Sequence, residues 1–274
     1  MPVTIAILGA TGKTGREVLK LLLLRQDVSL QLYVRSRSKL HSFFPLLEAD
    51  PRVSIFQGPL HDVGNMSQCL KGAEKIVFAL GENDNLPNLT VIEDGAKTVL
   101  AALSSLRESS GHWERPRLLM LSSATWNPVL SATRPRLVHW AIKTAFCYAY
   151  ADLVRGQDLF LEAFDLVNLL LVQPNGLVED EASGHIIDTK YATLSVTYVD
   201  LGAGFVDLAC SSEYNHLSAV GVSSRDGDNG LKYGPVLGYT ILRGLCSTYI
   251  PGFWTMNKFV NSISFSLSSK VKTN

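Results

Sequence analysis

Residues 3 to 15 read Val-Thr-Ile-Ala-Ile-Leu-Gly-Ala-Thr-Gly-Lys-Thr-Gly, an apolar run that meets glycines at 9, 12 and 15 and opens a helical pattern near Lys13. Few folds use that order. A buried strand that turns sharply into a helix wants glycine at the turn, where backbone must approach a ligand, and where the new helix packs on the sheet. The helix then offers N–H groups without intrahelical partners, and the positive end of its dipole, to an anion lying beyond the strand. The pattern predicts a dinucleotide phosphate cradle built from Gly9, Thr11, Gly12, Lys13, Thr14 and Gly15.

The next apolar run, Ser29 to Val34, ends in Arg35-Ser36-Arg37-Ser38-Lys39. An adenosine ribose would sit here, about twenty residues beyond the glycines. No acid is present to accept from a ribose 2′-OH, whereas the planar fork of arginine matches a 2′-phosphate. The expectation is NADP(H), held by Arg35 and Arg37, with a solvated basic turn as the alternative.

Strand and helix patterns alternate through the first two thirds of the chain, which predicts parallel βαβ units. Strands are expected at 3–8, 29–34, 52–56, 75–80, 117–122 and 166–172, and helices near 13–25, 37–48, 63–70, 88–109, 135–160 and 199–211. The fold class that follows is α/β, a Rossmann-like doubly wound parallel sheet with a small C-terminal appendage. Residues 1–222 would form the nucleotide domain with its substrate-pocket segments, and residues 223–274 a polar loop and an apolar appendage. Ligands in such sheets collect outside the carboxyl ends of the strands. That places Leu60, Leu80, Gly81, Gln173, Pro174 and Asn175 beside the cofactor, and the hydroxyls of Ser122 and Ser123 where a substrate carbonyl would lie, with Trp126 as an apolar wall. The plainer alternative for the serines is capping of the strand end, and for Trp126 a place in the core.

Lys plus Arg and Asp plus Glu number 25 each, so no basic field for nucleic acid exists. Cysteines 69, 147, 210 and 246 form no CxxC pair and have no histidine at ligand spacing, which argues against a disulfide scaffold and against a metal site. With no charged leader or apolar h-region before the first strand, the expected location is the cytoplasm. Residues 223–230 are the clear polar break, read as an exposed loop or hinge. The segment 235–254 that follows holds Arg243 as its only charge. Three readings of it stand: a packed or homodimer-forming appendage, contact with a membrane surface, and a spanning helix, the last opposed by the arginine at its middle.

Together with Leu121-Ser122-Ser123-Ala124, Val172-Gln173-Pro174-Asn175-Gly176 and Val196-Thr197-Tyr198-Val199-Asp200-Leu201-Gly202-Ala203, the glycine loop resembles the atypical short-chain dehydrogenase/reductases. More narrowly it is similar to the NmrA-like and biliverdin-reductase-B-like NAD(P)-binding group with its fungal members, over about residues 3 to 211. In classical members a serine is followed about a dozen residues later by YxxxK, whose tyrosine gives a proton and whose lysine lowers its pKa and holds ribose. Counting from Ser122 or Ser123 reaches Pro135 and His139, and Tyr148 and Tyr150 are followed four residues on by Asp152 and Val154. No intact pair exists, so the catalytic candidates are Ser122, Ser123 and Lys143, and no tyrosine is expected to be essential. The family's acid after the third strand is replaced by Pro59, leaving Asp62 for the adenine contact.

The resemblance implies an NADP(H)-dependent reductase of a small, largely apolar organic substrate, in specialised metabolism, with the proton drawn from water or substrate. Loss of the Tyr-Lys pair also fits a redox-neutral isomerase or cyclase on the same fold. A nucleotide-sensing NmrA-like regulator is the third reading, with 235–254 as its partner surface.

Overall fold

The computed structural model describes residues 2–257 apart from residue 83. In chain order the elements are β1 (Val3–Leu8), α1 (Lys13–Leu23), β2 (Val28–Val34), α2 (Arg37–Phe43), β3 (Val53–Gln57), α3 (Val63–Leu70), β4 (Lys75–Phe78), α4 (Val91–Ser109) and β5 (Arg117–Leu121). There follow α5 (Arg136–Ala145), α6 (Cys147–Glu162), β6 (Asn168–Val172), β7 (Gly176–Val178), β8 (His185–Asp188), β9 (Ser195–Thr197), α7 (Tyr198–Cys210), β10 (Ala219–Ser224) and α8 (Gly230–Tyr249).

The main sheet runs β3-β2-β1-β4-β5-β6-β10-β8, parallel from β3 to β10 and closed by the antiparallel edge strand β8. Strand order reverses between β1 and β4, which pair with Ile5 opposite Lys75 and Leu8 opposite Phe78. That reversal opens the crevice in which a doubly wound sheet binds its ligand. Strands β7 and β9 form a separate short parallel pair.

Ile5, Ala6, Ile7 and Leu8 are buried on both sides of the sheet, which explains why β1 reads as a continuous apolar run instead of an alternating one. One face is covered by α1 and α7, where Val18, Leu19, Leu22, Leu201 and Phe205 pack against Ile7, Leu30 and Leu170. The other carries α3, α4 and α6, with Phe78 set edge-on to Phe160, ring centroids 5.1 Å apart. Close helix approach depends on missing side chains: a Cβ on Gly202 would stand 2.7 Å from Glu17 Cβ, and one on Gly156 2.6 Å from Ile92 Cγ2. The buried Asp152 carboxylate of α6 accepts from Ile92 N at 2.9 Å and Glu93 N at 3.0 Å and so caps α4.

Several expected elements change. The helix expected over 135–160 is broken at Phe146 into α5 and α6. The cause is an acceptor from elsewhere: Asn85 Oδ1 takes the N–H of Tyr148 at 2.8 Å and of Ala149 at 3.4 Å, capping a new helix start. The helix expected over 37–48 stops at Phe43, just before Phe44-Pro45, since the residue preceding proline is pushed out of helical geometry. Strands β7, β8, β9 and β10 lie beyond those read from the sequence.

The segment 223–230 is not a free loop throughout. Ser223 and Ser224 are buried in β10, so the division at residue 222 falls inside a strand, and 225–229 is the turn that leads into α8. Helix α8 lies on α5, where Gly244 rests directly against the Ala145 carbonyl. Its other face leaves Tyr239, Leu242 and Tyr249 exposed. No helix among the described residues is long and apolar enough to cross a membrane, so the spanning reading has no helix to carry it.

Candidate active site

The strand-to-helix turn after β1 is tight for a reason visible atom by atom. Gly9 has φ +96°, and a Cβ there would strike the Ala79 carbonyl at the end of β4. A Cβ on Gly15 would strike the Gly9 carbonyl. Gly12 differs: it donates its N–H to Gly9 O at 2.8 Å, and the one protein atom near a Cβ built on it is that same oxygen, 3.2 Å away. Gly9 and Gly15 are thus required by the fold, whereas the space beside Gly12 is left open in front of the first turn of α1. Thr14 is buried in that turn. The Lys13 side chain reaches away to Glu179 Oε1, 2.5 Å, which raises its pKa above the usual lysine value, and it lies over the Tyr198 ring.

After β2 the two arginines separate. Arg37 Nη2 donates to Ile55 O at 2.6 Å and Nη1 lies 3.6 Å from Glu48. Arg35 is exposed and, among the described residues, its guanidinium has no hydrogen bond or ion pair. No Asp or Glu occurs between Asp27 and Glu48 to claim it. After β3, Tyr33 donates its hydroxyl to Pro59 O at 2.8 Å and holds the turn that carries Leu60. Asp62 accepts from Asn65 N at 3.0 Å through one carboxylate oxygen and caps α3.

At the carboxyl end of β5 the two serines also part. Ser122 Oγ donates to Gln157 Oε1 at 2.7 Å, fastening β5 to α6. Ser123 Oγ accepts from Thr125 N at 3.3 Å and lies 3.3 Å from Tyr150 Oη. Tyr150 Oη lies 3.2 Å from Thr125 Oγ1, which in turn accepts from Arg134 Nη1 at 3.0 Å. The other arm of Arg134 donates to Asn175 Oδ1, and Asn175 Nδ2 donates to Thr193 O at 2.7 Å. Gln173 Oε1 accepts from Asn127 Nδ2 at 2.8 Å, while Pro174 gives its carbonyl to Ala124 N. The loops after β5 and β6 are therefore sewn together around a cluster of three hydroxyls. The Tyr150 ring is walled by Trp126 and Phe146, with centroids 5.9 Å and 5.8 Å away.

The sequence leads to the expectation that no tyrosine is essential, yet the structure brings the Tyr150 hydroxyl beside Ser123. Tyr150 lies on α6, after the segment 127–135, α5 and the break at Phe146, so a search for tyrosine a dozen residues after the serine stops too soon. Lys143 does not stand beside the phenol as in a YxxxK pair; its Nζ lies 3.9 Å from the centroid of Trp126. Thr125, Arg134, Tyr150, Gln157 and Asn85 were all missed. Only the tyrosine carried a usable signal, as a polar aromatic on the helix after the serine strand.

The family model described as NAD(P)H-binding matches residues 9–203. The chain belongs to that family, as an atypical short-chain dehydrogenase/reductase of the NmrA-like kind. Among its relatives, the oxidoreductase stcQ of Emericella nidulans is 35% identical over 222 residues, covering 79% of this chain and 81% of that one. The oxidoreductase aflX of Aspergillus parasiticus is 32% identical over 258 residues, covering 94% and 95%. The fold is shared with a short-chain dehydrogenase/reductase (wide type) of Veillonella parvula solved in complex with NADP, at a TM-score of 0.65 and 18% identity, covering 83% of this chain and 97% of that one.

As a member of the NAD(P)H-binding family, the protein has residues that fit a dinucleotide. The room beside Gly12 and the first turn of α1 suit a pyrophosphate, and the Arg35 turn follows β2, the strand paired with β1. Toward the other side lie the ends of β4, β5 and β6, which bring Leu80, Gly81, Ser123 and Gln173 to one edge of the sheet. The appendage roofs that edge. Asn85, buried in the loop after β4, donates to Thr248 Oγ1 at 3.1 Å and Ser247 Oγ at 3.3 Å, and Trp254 Nε1 donates to its carbonyl at 3.0 Å. Arg243 pairs with Asp84 at 3.0 Å and lies over the Trp254 ring. These contacts fasten the loop after β4 to the end of α8.

Proposed function

We propose that the protein is an NADP(H)-dependent oxidoreductase that reduces a carbonyl of a small, largely apolar organic substrate of specialised metabolism. The observation that carries the reading is the Ser123–Thr125–Tyr150 hydroxyl cluster at the carboxyl end of β5, one strand beyond the reversal in strand order. The unpaired Arg35 and the absence of an acid near it support NADP over NAD. Relatives named oxidoreductases support the reaction class.

In this reading the open space beside Gly12, the first turn of α1 and Arg35 would hold NADPH, which would supply the hydride. The hydroxyl of Ser123 donates to the carbonyl oxygen and orients it. Tyr150 gives its phenolic proton to that oxygen as negative charge develops there. The phenolate left behind accepts from the Thr125 hydroxyl, beside the Arg134 guanidinium, and is reprotonated from solvent. Ser122 stays on Gln157 and keeps the strand end in place. Trp126 and Phe146 pack on the Tyr150 ring and hold its hydroxyl in place.

The test is NADPH consumption against a panel of aromatic ketones and quinones, with products identified. The proposal expects alcohol formed in step with NADPH consumed, and a large loss in Tyr150→Phe. Conversion of a substrate without net consumption would establish the redox-neutral isomerase or cyclase instead.

A further inference from the structure

From Glu114 to Asp152 the chain carries no Asp or Glu, yet this stretch contains Arg134, Arg136, His139 and Lys143. Those four side chains line one open cleft of about 520 Å³, together with Pro128, Ser131 and Trp140. The volume lies within the range of about 300–1,000 Å³ usual for small-molecule sites. Arg136 is exposed and has no hydrogen bond or ion pair among the described residues. Among the described residues the Lys143 ammonium lies over the face of Trp126 without an acid beside it, and Arg134 is held by two neutral oxygens. Helix α8, packed against α5, brings no acid: its charges are Lys232, paired with Asp180 and Asp226, and Arg243, paired with Asp84. Burial, and then the charges of Arg134 and Lys143, hold the His139 imidazole below its usual pKa, as expected where cations face one another without a counter-ion.

An uncompensated cationic cleft gains by taking an anion, because no resident carboxylate has to be displaced. Its walls select the rest of the ligand. Trp140 lines the cleft half exposed, so the cleft offers an aromatic face beside its charges. Arg134 joins the cleft to the reacting end, since the same guanidinium that lines it donates to Thr125 beside Tyr150. The turn of Arg35 cannot share this ligand: it follows β2, three strands away from β5 in the sheet order.

We infer that this cleft is the anchor for an anionic group on the substrate, and that the substrate is an aromatic acid whose carboxylate sits among Arg136, His139 and Lys143 while its ring lies against Trp140. The assignment of the reacting end rests on the reductase reading; the anion site itself does not.

The full chain, with and without saturating NADPH, is titrated calorimetrically with 2-naphthoate and with its neutral counterpart 2-naphthamide. Wild type is expected to bind the carboxylate at least tenfold tighter, a preference that shrinks as salt is raised. Arg136→Gln with Lys143→Gln should bring the two probes to within about twofold, while Arg136→Lys, which keeps the charge, should retain most of the preference. Circular dichroism and NADPH affinity, unchanged in these variants, show that the fold and the nucleotide crevice are intact. Equal affinity for the two probes in wild type, no binding of either, or a preference that survives in the double variant would overturn the proposal. A response to inorganic phosphate without one to 2-naphthoate would overturn the aromatic acid. NADPH binding without any carboxylate preference removes the anchor and leaves the reductase reading; the preference without NADPH binding does the reverse.

Discussion

Tyr150 Oη stands 3.3 Å from Ser123 Oγ although 27 residues separate them, and both oxygens hydrogen-bond to Thr125. The pair exists because Asn85 ends one helix and starts the next, turning α6 so that its first full turn faces the end of β5. A loop from one strand end thus positions the phenol that serves another.

Tyr150→Phe is expected to reduce turnover by about 10²- to 10⁴-fold, the usual contribution of a general acid, with NADPH affinity retained. Tyr148→Phe should be near neutral, since that side chain is exposed and its anchoring bond to Asn85 comes from the backbone. Turnover in the two variants, each checked for folding, separates the roles. Comparable losses in both would remove Tyr150 from the site.

Replacing Asn85 with alanine strips acceptors from the first turn of α6 and partners from Ser247 and Thr248 at once. Buried polar groups left unpaired cost about 1–3 kcal/mol. Thermal unfolding should fall by about 2–4 °C for each kcal/mol lost in a chain of this size. Protease cleavage near the end of α8 should also accelerate, because Ser247 and Thr248 lose the side chain that ties them to the loop after β4. An unchanged melting temperature would show that the α8 clamp contributes nothing to the fold.

Much of the fold was legible because β1, the glycines and α1 report one local rule from three directions, and because strands buried on both faces read as unbroken apolar runs. The break at Phe146 was not legible, since its cause is Asn85, about sixty residues away. The short strands β7, β8 and β9 are too brief to leave a periodic signal. For the site, Gly12, Arg35 and Ser123 could be chosen from position alone, while Tyr150, Thr125 and Arg134 could not. Their grouping depends on how the 127–135 loop folds back on the strand end. Lys143 was chosen from its helix, but the path of its side chain, over Trp126, is decided by packing.

The three glycines should fail differently. Gly12→Val is expected to fold and to lose nucleotide binding, because its Cβ meets a single protein atom and otherwise fills the open space of the cradle. Gly15→Ala should instead destabilise the protein, since its Cβ is driven into the Gly9 backbone. Melting curves and NADPH titrations of the two variants distinguish these outcomes. Normal NADPH binding by folded Gly12→Val would mean that the pyrophosphate lies elsewhere.

The most direct measurement is calorimetric titration of NADPH and of NADH into wild type and Arg35→Ala. A charge-assisted contact to the 2′-phosphate contributes about 1.5–3 kcal/mol, or about tenfold or more in affinity. Wild type should therefore prefer NADPH by at least that factor, and Arg35→Ala should lose the preference while its NADH affinity stays nearly unchanged. Equal affinity of wild type for the two cofactors, or equal weakening of both in the variant, would contradict an NADP(H) site at this turn.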